Sequence, residues 1–263
     1  VHEKEEHFLT RDNEHTNITQ TNYSKIPGSP IAYWISDHTI MTFQGAVLNE
    51  IAQAKAGLQT GKNALFVRDW SEVDFRKTSL NSSLDIDKWF PYCKGGGNNK
   101  WYGLNSFLVD WEDDGKRIHE YNNIPLSYSG APVRAKQFYF KEGLSYSLIN
   151  STGNFSVRYI AGGGIFDNGG PMIFSEDIEP LLLSSVLNSK LSTFYLKTLN
   201  PTLNYQVGDL SRIPVLFGKE KDMVNIVKVA QTNTNISKLD WDSRETSWDF
   251  KQSPLLKETN ALE

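Results

Sequence analysis

The sequence predicts an α+β fold in which helices pack on a mixed, mostly antiparallel β-sheet. Three features predict it. Between Trp89 and Ile165 the short runs WFPYC, SFLVDW, RAKQFYF, YSLIN and FSVRYI are each bounded by Gly, Asn, Asp or Pro, which is the pattern of strands. On either side of that region the apolar residues take helical spacing, at 37–55 and at 180–197. The chain has 263 residues, 39% of them apolar, so it can bury a core without disulfides, and Cys93 is its single cysteine.

Residues 1–25 are polar and lack periodicity, so they read as a poorly ordered leader, with order beginning near Ile26. The opening VHEKEEHFLTRDNEH is charged, unlike a signal peptide, and starts without Met, which reads as the cut edge of a longer protein. From Asp37 the spacing of Met41, Phe43, Val47, Leu48 and Ile51 predicts a helix ending near Lys55, with Gly57 as its stop. A Gly-rich turn then precedes a strand at Ala64–Val67, and Asp113-Asp114-Gly115 reads as a hairpin turn between a strand ending at Trp111 and one starting at Lys116. After a glycine-rich loop at 162–170 comes a strand at Met172–Phe174. Leu182, Leu183, Val186, Leu187, Leu191 and Phe194 form the apolar stripe of a helix over Pro180–Leu196. Leu210–Val215 reads as a short strand closed by proline, and Asp222–Gln231 as a short helix. The acidic DWDSRETSWDFKQSPLL then reads as a spacer reaching for a neighbour, because Trp241, Trp248 and Phe250 are not expected to stay in water. The organisation that follows is a leader at 1–25, one domain at 26–218 and a C-terminal appendage at 219–263.

Several function classes find no support. Three of the five histidines fall in the leader, and there is no HExxH, no His/Cys pairing, no calcium loop and no GxSxG, so neither a catalytic residue nor a metal site is predicted. GLQTGKN at 57–63 is one residue short of a P-loop and places Asn63 where a hydroxyl should hold magnesium. Glu112, Asp113 and Asp114 have the chemistry of an acid/base cluster, but the adjacent turn glycine favours a solvated hairpin. No apolar run approaches the roughly 20 residues of a spanning helix. With a lone cysteine, a reducing cytoplasm is the expected location.

Net charge is −4 and the isoelectric point about 5.8, so any phosphate-binding face has to be local. PYCKGGGNNKWYG at 91–103 is the candidate, since glycines let a backbone lie against a partner and lysines favour an anionic one. The 134–158 stretch is also basic, with Arg134, Lys136, Lys141 and Arg158 against Glu142 alone.

IPGSPIAYWIS, GLQTGKNALFVRDW, KWFPYCKGGGNNKWYG, FLVDWEDDGKRI, SVRYIAGGGIFDNGGPMIF and LLSSVLNSKLSTFYLKTLNPTLNYQVGDLSRIPV occur in that order. Together they resemble the C-terminal half of adenine-specific DNA methyltransferases of the PglX family, from BREX phage-defence systems. The resemblance runs from Ile26 to Leu256 and extends to DWDSRETSWDF. It implies a parent enzyme with an upstream Rossmann-like domain that binds S-adenosylmethionine and carries an NPPY-type motif. Neither feature occurs in this chain, and Asn200-Pro201 matches the family's downstream LNPT stretch. The implied role is target recognition, on a fold resembling the target-recognition domains of restriction-modification enzymes. No cofactor is expected in this segment. The implied partners are double-stranded DNA and the upstream methyltransferase domain of the same parent chain, with other defence-system proteins or a phage inhibitor beside them.

On that reading Lys94 and Lys100 contact phosphates, while Gly95, Gly96 and Gly97 bring backbone N–H groups to phosphate oxygens. The base-reading candidates are Asn98, Asn99, Arg134, Arg158, Asn204 and Gln206, because Arg suits guanine and Asn or Gln suits adenine. The alternative is a protein-interaction scaffold, suggested by the acidic balance and the tryptophan-bearing tail.

Overall fold

The computed structural model of the chain describes residues 2–11, 19–80 and 88–257. The fold is α+β, with two four-stranded sheets where one was expected. Its helices are α1 (His2–Thr10), α2 (Asp37–Thr42), α3 (Leu48–Ile51), α4 (Asn63–Phe66), α5 (Glu112–Tyr121), α6 (Pro180–Leu187), α7 (Lys190–Leu199), α8 (Val207–Leu210) and α9 (Glu220–Asp242). The strands are β1 (Gln53–Lys55), β2 (Val67–Asp69), β3 (Trp89–Cys93), β4 (Phe107–Asp110), β5 (Gly143–Tyr146), β6 (Val157–Ile160), β7 (Ile165–Phe166) and β8 (Met172–Phe174). The first sheet runs β1-β8-β5-β6 and is antiparallel throughout. The second runs β2-β4-β3-β7 and is antiparallel except where β7 lies parallel to β3.

Side-chain alternation shows why the first sheet is the middle layer. Ile173 belongs to one apolar core with Leu144, Tyr146, Val157 and residues of α2, α6 and α7, whereas its neighbours Met172 and Phe174 belong to the other, with Tyr92, Val109 and Phe166. Successive strand residues point to opposite faces, so a strand feeding both cores is covered on both sides.

Several expected elements differ for long-range reasons. The helix read over 37–55 is α2 and α3 followed by β1, because Leu48 and Asn49 donate their N–H groups to Ile213 and Ser211 and Val47 bridges Pro214. The Pro180–Leu196 helix is interrupted at Asn188, whose side chain accepts from Val157 N–H (2.9 Å) and donates to Val157 C=O (3.0 Å) in place of a strand partner. RAKQFYF is a 3₁₀ turn at Lys136–Phe138, entered through left-handed Ala135. Asp113-Asp114-Gly115 makes no hairpin: these left-handed residues start α5, where Lys88 pairs with Glu112 and Lys136 with Asp114. The strand read at Leu210–Val215 is instead the end of α8 and a single bridge at Pro214.

At the N-terminus, part of the stretch that reads as a poorly ordered leader is the helix α1, while 12–18 lie outside the described residues. The C-terminal part is helical and longer than read, since α9 packs on α6. Nor does the tail reach away. Lys238 bonds Asp242 (2.7 Å), Asp249 (2.8 Å) and the Tyr102 hydroxyl (3.2 Å), Trp70 donates to Thr246 C=O, and Trp241, Trp248 and Phe250 are half-buried on their own chain. Burial opposes the Lys238 charge, but its two carboxylates and the Tyr102 hydroxyl hold it above the usual lysine range. Among the described residues no helix is long and apolar enough to cross a membrane.

Cys93 ends β3 between the two sheets, and burial pushes its thiol up to about 11. A thiolate is the reactive form. The native protein is therefore expected to stay inert to a water-soluble disulfide reagent at pH 8 and to release one equivalent on denaturation. Fast native reaction would mean that the layers open.

Candidate nucleic-acid interface

Beyond β3 the chain crosses the 167–170 loop at van der Waals distance. Asp167 N–H donates to Cys93 C=O (2.9 Å), a Cβ on Gly170 would lie 2.6 Å from Gly95 N, and a Cβ on Gly95 would overlap the Gly169 carbonyl oxygen. Gly95 is thus required by a crossing of two backbones. Gly96 N–H donates to Ser147 Oγ (3.0 Å), which also lies 3.0 Å from Gly96 C=O, and Gly97 turns the chain at φ 66°. Gly95 thus serves a structural joint, and the Gly96 N–H, expected to face a phosphate, is given to Ser147 instead.

The basic residues part company. Lys94 Nζ lies 5.3 Å from the Phe107 ring centroid, and its carbonyl accepts from Arg158 at 2.6 Å. Arg158 is 1% exposed between the sheets, and burial pushes its guanidinium down to about 10. It cannot reach a base edge, so the base-reading role expected of it is corrected to that of an internal clamp on the Lys94 carbonyl. The local sequence held the signal, because VRYI has apolar residues of both parities, which is the mark of a strand covered on both faces. Arg134 is turned to Asn168 Oδ1 (2.9 Å).

A second set converges. Asn98 Oδ1 accepts from Asn150 (3.3 Å), Asn150 N–H donates to Leu203 C=O (3.1 Å), and Ile149 bridges Asn204. These bonds tie the 94–100 loop to the 147–154 loop and to 203–206, so Asn98, Asn99, Lys100, Asn204 and Gln206 belong to one assembly of loops. Asn99 sits half-buried between Gly97 and Gly103, whereas Asn204 and Gln206 are exposed. Lys100 is exposed and spends one of its three N–H donors on Asn188 C=O (2.7 Å).

Where this assembly meets α7 there is an open groove of about 490 Å³, lined by Asn98, Lys100, Asn154, Lys190, Thr193 and Lys197 among others, and no Asp or Glu lines it. The i, i+3 and i+7 spacing of Lys190, Thr193 and Lys197 puts them on one side of the helix, while Ser189 caps its first turn through Ser192 N–H. Among the described residues no carboxylate pairs with Lys190 or Lys197. An acid-free groove with three ammonium groups suits a polyanion. Sequence reasoning missed Lys190, Lys197 and Asn154, because an unbroken helix over 180–196 hides the register that faces Lys100.

No family model matches the chain. Curated relatives do, over almost all of it. The chain is 36% identical over 272 residues to the adenine-specific methyltransferase PglX of Lacticaseibacillus casei, a match that takes in 99% of this chain. The chain matches a segment of a PglX-like methyltransferase. The adenine-specific methyltransferase BrxX of Escherichia coli O9:H4 is likewise 36% identical, over 98% of the chain. The chain spans about a fifth of the length of these relatives, 22% and 21% respectively. In the PglX-like segment, then, the lysine-lined groove and the loop assembly beside it belong to a part of such proteins about a fifth of their length.

Proposed function

We propose that this PglX-like segment is the target-recognition part of an adenine-N6 DNA methyltransferase of a phage-defence system, gripping the duplex around the base to be modified. The observation that carries the reading is the groove of Lys100, Lys190 and Lys197, free of carboxylates, on a chain of net charge −4. An adenine inside a duplex has to be extruded for chemistry at N6, which costs a few kcal/mol, so a second region is needed to hold the flanking DNA. Lysines at a groove wall supply that grip through phosphates, and Asn98, Asn154, Asn204 and Gln206 on the adjoining loops supply amides that can reach base edges.

In this reading S-adenosylmethionine is bound by the methyltransferase domain elsewhere in the parent chain, and the enzyme works in the cytoplasm with double-stranded DNA and other defence proteins as its partners. The scaffold alternative loses its main support, because the tail tryptophans are engaged with their own chain. The exposed apolar residues of the C-terminal part are found on α9, at Val229, Ile236 and Leu239 among others, and beyond it at Leu255 and Leu256.

Titration of the parent enzyme with duplex DNA tests the reading. Binding is expected to weaken steeply and log-linearly with salt, since each neutralised phosphate releases counterions. Binding that is absent at low salt, or indifferent to salt, would sink it.

A further inference from the structure

The short ribbon formed by 148–150 and 203–205 has a feature that phosphate binding does not use. Asn150 N–H donates to Leu203 C=O (3.1 Å) and Tyr205 N–H to Leu148 C=O (2.7 Å), which makes Ile149 and Asn204 a directly opposed, non-hydrogen-bonded antiparallel pair. In such pairs the two Cα atoms approach to about 4.5 Å and both side chains leave the ribbon on the same face. Ile149 is 63% exposed and Asn204 is exposed beside it, while on the opposite parity Tyr205 and Asn150 are buried and Leu203 is 49% exposed. A large aliphatic side chain is thus held in water next to an amide whose side-chain atoms have no partner among the described residues. The ribbon is joined to the lysine groove through Asn150 and Asn98, and a Cβ on Gly153 in the same loop would lie 3.8 Å from both Lys197 Nζ and Leu203 Cδ2.

We infer that Ile149 and Asn204 together read one A·T base pair in the major groove. Asn204 donates to adenine N7 and accepts from the adenine N6 amino group, while Ile149 covers the C5 methyl of thymine. Adenine N7 and N6 and the thymine methyl share the major-groove edge, with thymine O4 between the amino group and the methyl, and only an A·T pair offers them together. The pairing of an apolar and an amide side chain on one face matches that edge in chemistry. Leu203, of opposite parity on the ribbon, takes no part in the readout.

The inference rests on the DNA-binding reading, and the experiment separates the two. Binding of the full-length parent methyltransferase is measured on duplexes carrying its methylation site, with each thymine replaced in turn by deoxyuridine, which lacks the methyl. One position is expected to lose about fourfold in affinity, the worth of a buried methyl. Ile149→Ala should abolish that penalty, and Leu203→Ala should preserve it. Asn204→Ala should reduce the preference for A over other bases at the same pair by about tenfold. A uridine penalty that is absent at every thymine, or one that survives Ile149→Ala, would overturn the inference, as would unchanged base preference in Asn204→Ala. In those cases salt-dependent binding persists and the DNA-binding reading stands. Loss of all salt-dependent binding in the unsubstituted enzyme overturns both.

Discussion

Gly95→Ala is expected to destabilise the domain by about 3 kcal/mol or more, whereas Gly96→Ala, one residue along the same run, costs about 1–2 kcal/mol. The difference comes from what each Cβ would meet. At Gly95 it overlaps the Gly169 carbonyl oxygen, a backbone atom of a loop held by Asp167 N–H on Cys93 C=O and by Leu148 N–H on Gly169 C=O, so neither chain can retreat without breaking bonds that join the two sheets. At Gly96 nothing lies within 4 Å of the added atom, and the cost is that of holding φ at 129° with a side chain. For a domain of this size 3 kcal/mol lowers Tm by about 6–12 °C, which a calorimetric comparison of the two variants reads directly. Gly170→Ala should behave like Gly95→Ala, because its Cβ meets the same crossing from the other side, 2.6 Å from Gly95 N. DNA binding supplies the second half of the test. A run that cradled phosphate would be most sensitive at exposed Gly96, so a folded Gly96→Ala protein that retains its DNA affinity confirms that the glycines serve the crossing. Equal stability losses in Gly95→Ala and Gly96→Ala would contradict this account.

The strands that could be read from the sequence were those whose pattern is local. WFPYC, SFLVDW, VRYI and MIF are short apolar runs between turn residues, and they became β3, β4, β6 and β8 because both cores demand apolar side chains of either parity there. What could not be read was set by partners far along the chain. The 37–55 helix is broken where Leu48 and Asn49 meet Ile213 and Ser211, more than 160 residues away, and the 180–196 helix is broken by Asn188 standing in as a strand partner for Val157. Asp113-Asp114-Gly115 has turn chemistry in either context, and only the ion pairs of Glu112 and Asp114 with Lys88 and Lys136 distinguish a helix start from a hairpin. The same division applies to the candidate interface. Residue chemistry pointed to Lys100, Asn98, Asn204 and Gln206, which the fold keeps near one another. It also pointed to the glycine run, whose crossing depends on a loop some 70 residues downstream, and to Arg158, which is buried with its guanidinium on the Lys94 carbonyl 64 residues upstream. The lysines of α7 were invisible to it because their register depends on the break at Asn188.

Exchanging Lys100, Lys190 and Lys197 together for Gln should flatten the salt dependence of DNA binding by about 3 in log–log slope, since each phosphate-contacting cation contributes close to 0.9. Between 50 and 200 mM salt the unsubstituted enzyme should accordingly lose about 40-fold more affinity than the triple variant. All three side chains are exposed, and Lys190 and Lys197 hold no carboxylate among the described residues, so their removal leaves no buried charge unpaired. Lys100 alone has an internal bond, to the C=O of buried Asn188, and the amide of the replacing Gln keeps an N–H donor for that carbonyl. Lys94→Gln is the matched control. Its ammonium lies over Phe107 and does not line the groove, so the slope should stay that of the parent enzyme. Base preference is the discriminating readout, because phosphate contacts carry no sequence information. The triple variant should bind every duplex more weakly while ranking them as before, in contrast to Asn204→Ala, which should alter the ranking and leave the slope unchanged. A triple variant with the parental slope would remove the groove from the DNA interface, and the ribbon of Ile149 and Asn204 would then need a different source of the charge that brings it to a duplex.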